Sequence, residues 1–351
     1  MDGIFRLDMV YFLPVPFICD RGIEMKKCII FCILTLTVFI QVYPEIVANL
    51  PDLGKPSEIR INNGYLFVSD QQSVRVYDLK SFKQVKKLCR KGEGPGEFQR
   101  KPRIEFSSDK LVLSDSYKII LFSREFEYLR EIRLGTVSSR ALPIGDRFVI
   151  TNPKAIGKKS CRVFLLIDKN GRKITDLVIE SLGPQIRNYF LTPLTWARSW
   201  NDKVFIAQPH KGFYIDVFDK HGKKLYHIDK KVKKIKAEKK HKQAVLNELL
   251  FSVGRSRFER ARKLGAFDRP MKEFAPAIRN FWVVEDNIYV KTFDIIDTQE
   301  KYIVMDLKGD IQKTLFLPIV FKELLTFHND TFYYLDDNEE KESWVLHAVQ
   351  L

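Results

Sequence analysis

Hydrophobic and polar positions alternate along most of this chain in short runs, and the runs come in pairs. A run rich in β-branched and aromatic residues meets a polar turn bearing Asn, Asp or Gly; a second run follows and ends on a polar residue. The instances are EIRINNGYLFVSD (58–70), RIEFSSDKLVLSD (103–115), RALPIGDRFVITN (140–152), WARSWNDKVFIAQ (196–208), FWVVEDNIYVKTF (281–293) and LLTFHNDTFYYLDD (324–337). Apolar runs this short, bounded by turn residues, predict strands joined as hairpins.

A second hairpin follows each of the first five. The turns of the third, fourth and fifth of these centre on KNG, KHG and KGD, where glycine supplies positive φ. The repeating unit is therefore four antiparallel strands, a to d. The b-strand centres Val68, Leu113, Ile150, Ile206, Val290 and Tyr334 lie roughly forty to fifty-five residues apart, except for a gap of 84 between Ile206 and Val290. Four-stranded units at this period are propeller blades, which stack because one blade alone cannot bury its faces. The pattern thus predicts an all-β fold, a six-bladed β-propeller of four-stranded antiparallel blades. The sixth unit has only a, b and a third strand, SWVLHAVQL, before the chain ends. The apolar EIVANL (45–50) is free to supply its fourth strand, so that N- and C-terminal strands close the ring and remove an edge.

The long gap marks an insertion between blades 4 and 5, about 231–276. Within it Leu246, Leu249, Leu250, Val253, Ala261 and Leu264 fall at broadly helical spacing, ending near Gly265, which predicts one or two amphipathic helices. Charge changes how this segment reads. The chain carries a formal +15, and residues 230–263 hold thirteen Lys/Arg against three Asp/Glu, a local +10. The excess belongs to a basic insert rather than to a basic fold. Two roles stand open: a packing element with a solvated basic face, and a lid or docking element for an anionic partner.

The first residues have a different character. Lys26 and Lys27 precede an apolar run from Cys28 to Val42. That run is shorter than the ~20 residues of a spanning helix and has the layout of a secretory signal. Residues 25–48 are expected to be a signal peptide or N-terminal anchor, 1–24 an upstream extension, and 49–351 the propeller. The expected location is exported (periplasmic, cell-surface or extracellular), with membrane contact only through the N-terminal segment if it is retained. Of five cysteines only Cys89 and Cys161 lie beyond that segment, with no metal-finger spacing.

The segment RKGEGPGEFQRKP (90–102) concentrates glycine. It lacks the Lys-Ser/Thr of a phosphate-binding loop, and a strand rather than a helix follows, so it is expected to link blades 1 and 2, anchored by Phe98. Gly92, Gly94, Pro95, Gly96, Phe98 and Pro102, with the strands after them, resemble an NHL-type repeat. The chain from Leu50 onward is similar to bacterial exported six-bladed β-propeller proteins, which carry a GxGPGEF link after the first blade and a helical insertion before the fifth. The resemblance implies the fold and leaves the activity open.

Candidate chemistry is sparse. Asn62, Asn63, Glu105, Asn152, Asn201 and Glu285 lie near inner strands without a shared register, so no metal site is assigned. The six histidines show no ligand spacing, and no cofactor is implied. One recurrence remains: Arg60, Arg103, Arg140, Arg198 and Arg279 each stand at or near an innermost strand, with Trp196, Trp200 and Trp282 beside them. A basic channel mouth suits a carboxylate, a sulfated or uronic glycan, or a phosphate; the competing reading pairs these arginines with Glu58 and Glu105. The expected ligand-binding set at the axial mouth is Arg60, Arg103, Arg140, Arg198 and Trp196. The expected function is a binding or interaction module, monomeric, for an anionic glycan or a protein partner and not for nucleic acid. A propeller enzyme of glycan lyase or lactonase type is the alternative.

Overall fold

In a computed structural model, the structure describes residues 44–351 except 139, 184–190, 192–193, 321–323 and 339–342. The expected upstream extension, and the signal or anchor segment as far as residue 43, lie outside the described residues.

Six four-stranded antiparallel sheets form the ring. Blade 1 is β2 (Pro56–Asn62), β3 (Tyr65–Asp70), β4 (Ser73–Asp78) and β5 (Gln84–Leu88). A short parallel pair, β6 (Arg90–Lys91) and β7 (Glu97–Phe98), leads to blade 2: β8 (Arg103–Phe106), β9 (Leu111–Ser114), β10 (Lys118–Phe122) and β11 (Tyr128–Arg133). Blade 3 is β12 (Ala141–Ile144), β13 (Arg147–Ile156), β14 (Lys159–Ile167) and β15 (Lys173–Ser181). Blade 4 is β16 (Trp196–Trp200), β17 (Lys203–Ala207), β18 (Phe213–Asp219) and β19 (Lys224–Lys230). Blade 5 is β20 (Asn280–Val284), β21 (Asn287–Ile296), β22 (Gln299–Asp306) and β23 (Ile311–Pro318). Blade 6 takes β24 (Leu325–His328), β25 (Thr331–Asn338) and β26 (Ser343–Gln350) from the C-terminus and β1 (Glu45–Leu50) from the N-terminus, in the order β1-β26-β25-β24. The strand expected to close the ring does so, and β1 starts at Glu45, ahead of the boundary expected at 49.

The innermost strands touch in ring order, β2 to β8, β12, β16, β20, β24 and back to β2. The core lies between blades. Between blades 5 and 6, Tyr289 stacks on Phe327 with centroids 3.8 Å apart, and Trp282, Tyr302 and Phe332 pack around them.

Local chemistry explains the hairpins. Four of the six a–b turns are two-residue turns with positive φ at both positions: Asn63-Gly64, Asn201-Asp202, Glu285-Asp286 and Asn329-Asp330. That geometry matches the strand twist and favours Asn, Asp and Gly. Glu285 is the exception in type, and its carboxylate accepts the Asn329 N–H at 2.8 Å, which ties blade 5 to blade 6. In the c–d turns, Asp168 and Asp306 each accept backbone N–H groups two and four residues on; the donors hold both carboxyls below the usual range.

The Gly-rich link is a folded joint. Phe98 is fully buried, and Glu97 accepts the Gly94 N–H at 2.9 Å and the Arg90 guanidinium at 2.6 Å. The Glu97 carboxylate fills the space a side chain would need at Gly92, where a Cβ would stand 1.9 Å from Oε2; Gly96 has φ +73°.

The insertion holds α1 (Lys239–Val253) and α2 (Arg255–Lys263), separated by Gly254. The apolar spacing located the helices. Leu264 caps α2 and is 79% exposed, whereas Phe258, stacked on Phe267, is the buried anchor. α1 is fastened to blade 5 by charge. Glu248 lies 2.7 Å from Arg279 and 3.5 Å from Lys291, and both cations also pair with the fully buried Glu300. At the start of α1, buried His241 accepts the Glu238 N–H through Nδ1 at 2.9 Å.

Burial, with Lys240 and Arg279 nearby, pushes the His241 pKa down against the pull of Glu238. A histidine kept neutral in the fold contributes stability above its unfolded pKa, and that contribution is lost as pH falls below about 6.5 toward the lower folded value. Amide exchange in residues 239–253 is expected to accelerate between neutral pH and pH 5.5, relative to the intrinsic rate, and His241→Gln should flatten the change. Exchange mass spectrometry measures both.

Candidate functional site: an arginine-lined cavity where the inner strands begin

Strand a of each blade begins on one face of the ring, so the d–a links and b–c hairpins gather there. On this face a cavity of about 570 Å³ opens between blades 2, 3 and 4. Arg103, Arg140, Arg198 and Trp196, four of the five expected residues, line it. Arg60 does not, but it pairs at 2.8 Å with Glu58, which joins it to the floor of the cavity. Two lining arginines were missed: Arg100 from the Gly-rich link and Arg162 from strand c of blade 3. No Asp or Glu stands among the described lining residues. The rest of the wall is largely apolar, with Leu142, Phe164, Leu182 and Leu194.

The arginines are held rather than loose. Glu58, fully buried on β2, lies 2.6 Å from Arg140, 2.8 Å from Arg60 and 3.7 Å from Arg103, so one carboxylate binds cations of blades 1, 2 and the approach to blade 3. Arg140 also pairs with Glu105 at 2.6 Å. The pairing with Glu58 and Glu105 weighed from the sequence is therefore present, and it orders a cationic floor. Burial pushes the Glu105 carboxyl up, against Arg140 and Arg60 and with a further push from Glu58.

Arg198 donates to the Ala197 carbonyl at 3.0 Å and to Asn280 Oδ1 at 3.1 Å, and its guanidinium lies about 6 Å from the ring centroids of Trp196, Phe281 and Trp282. Arg162 lies 3.6 Å from Glu180, behind which His210 stands at 3.8 Å. Arg100 reaches Ser116 Oγ at 3.2 Å and lies over Tyr117. Arg103 has the most exposed guanidinium of the Glu58 group.

The other singled-out residues go elsewhere. Arg279 belongs to the network under α1, and Trp282 is core. Trp200 lies at the opposite mouth, where its indole N–H donates to Asp286 at 2.8 Å. His328 pairs with Glu285 there. Cys89 and Cys161 are free thiols, and burial pushes Cys89 up to about 12. Among the described residues no three His, Cys, Asp or Glu side chains are grouped to hold a metal ion.

No protein family matches the sequence, and no curated protein is significantly similar to it. Solved structures with a similar fold include BamB from Moraxella catarrhalis, at 12% identity over 84% of this chain and 71% of that one, TM-score 0.30. The Cps50 (Swd1) β-propeller domain of Myceliophteria thermophila is similar at 11% identity over 88% of this chain and all of that one, TM-score 0.42. These likenesses carry no functional assignment, and the strand order itself makes the chain a six-bladed β-propeller of four-stranded blades.

Proposed function

We propose that the protein is an exported, NHL-like β-propeller that acts as a binding module and takes an anionic ligand, foremost a carboxylate-bearing glycan, in the arginine-lined cavity. The observation that carries this reading is the convergence of five arginines from three blades on one cavity with no acidic residue among its described lining. Guanidinium forks held by carboxylates behind them are pre-organised for a planar anion. Trp196 and the apolar wall offer a surface for a sugar ring or another apolar body. Because β1 begins at Glu45 and forms part of blade 6, processing that preserves the ring must cut before it.

Calorimetry with oligogalacturonate and with a neutral oligoglucan of equal length tests the reading. The uronate should bind, more weakly as salt rises, and Arg103→Ala should weaken it by about tenfold, or ~1.4 kcal/mol. Affinity should rise as pH falls, because Glu105 gains its proton early and leaves Arg140 with more charge to share. Equal binding of the neutral chain, or binding indifferent to Arg103, would contradict the proposal.

A further inference from the structure

The face opposite the arginine cavity carries a second cavity. There the a–b turns of blades 1 to 4 meet around a cavity of about 310 Å³. Its lining includes Asn62 and Asn63 from blade 1, Ser108 and Phe106 from blade 2, and Asn201 and Trp200 from blade 4. From the sequence, the three asparagines shared no register; the curvature of the ring brings them to one space.

Three features define what fits. First, the side-chain amides of Asn62, Asn63 and Asn201 make no hydrogen bond to any described protein group, although the turns that carry them are fixed by positive φ at Asn63 and Asn201. Each amide presents a carbonyl acceptor beside an NH₂ donor. Three such pairs around one cavity match a ligand whose groups both donate and accept. Second, Trp200 packs against the core of blades 4 and 5, is held by its bond to Asp286 and is half-buried, so it offers the cavity an aromatic surface in a fixed orientation; Phe106 lines the same cavity from blade 2. Third, the local charges balance. Arg124 donates to the Ser108 carbonyl, Asp202 accepts the Gly145 N–H at 2.9 Å, and they are the two charged residues among the described lining. Few, well-placed polar groups on an aromatic floor give orientation and specificity in small-molecule sites.

We infer that this mouth binds a neutral sugar ring, either free or at the end of a glycan chain, with its hydroxyls on the three amides and its C–H face on Trp200. This site is separate from the anionic site proposed above and does not depend on it.

Saturation-transfer NMR and calorimetry on the propeller, with methyl glycosides of glucose, galactose and N-acetylglucosamine as probes, test the inference. At least one should bind with a millimolar Kd. Asn62→Ala, at the half-buried end of β2, and Asn201→Ala, on an exposed turn, should each weaken it by about tenfold, whereas Arg103→Ala should leave it unchanged. Trp200→Phe should keep part of the affinity that Trp200→Ala loses; the asparagine variants decide the matter if Trp200→Ala fails to fold. Absence of binding for every neutral glycoside at high millimolar concentration would overturn the inference. So would binding unchanged in both asparagine variants, or binding of glucuronic acid where the neutral glycosides fail.

Discussion

Replacing Glu300 with alanine is expected to destabilise the propeller by about 3–5 kcal/mol, because it leaves buried cations without their shared carboxylate. Glu300 and Lys291 are almost completely inaccessible, and Arg279 is 8% exposed. β22 supplies the acid, β21 one cation and the approach to β20 the other, so the network staples three strands of blade 5. Glu248 adds the helical insertion to the same charges. Its carboxylate is partly exposed, so Glu248→Gln should cost much less globally and act instead on α1. Urea unfolding separates the two: the Glu300 variant shifts the midpoint strongly, while the Glu248 variant keeps most of the midpoint and speeds amide exchange in residues 239–253. Equal midpoints for Glu300→Ala and the unmodified protein would refute this account of the network.

Removing β1 should have an effect of similar size by a different route. A chain starting at Pro51 loses Leu50, which is 1% exposed and worth about 1.5–3 kcal/mol in burial alone. It also uncovers β26, whose SWVLHAVQ sequence would become an open, apolar edge. The shortened protein is expected to melt earlier and to self-associate, as read by calorimetry and by light scattering during size exclusion. A monomer with an unchanged melting temperature would show that ring closure does not depend on this strand.

Much of this architecture was readable because each element is specified locally. Asn63-Gly64 and Asn201-Asp202 announce their turns by residue type, and the missing strand of blade 6 followed from counting strands. The helices of the insertion were visible in spacing, but their buried anchor, Phe258, lies outside that apolar set, and Leu264, which belongs to it, falls beyond the end of α2 at Lys263 and is exposed. The cavity was legible where its residues recur at the start of strand a, as with Arg103, Arg140 and Arg198. Arg100 and Arg162 escaped notice because they sit on a link and on strand c, where no repeat position singles them out. Glu58 was weighed as a partner for arginine, but its grip on three cations at once depends on how adjacent blades approach, a relation between blades that sequence spacing does not carry.

The central claim is that the arginine-lined cavity is where an anionic ligand binds. Hydrogen exchange with and without saturating oligogalacturonate tests it most directly. The account predicts slower exchange in the segments that line the cavity, around Arg100–Arg103, Arg140–Leu142 and Thr195–Arg198. Protection confined to α1 and α2, or binding that slows none of these segments, would contradict it.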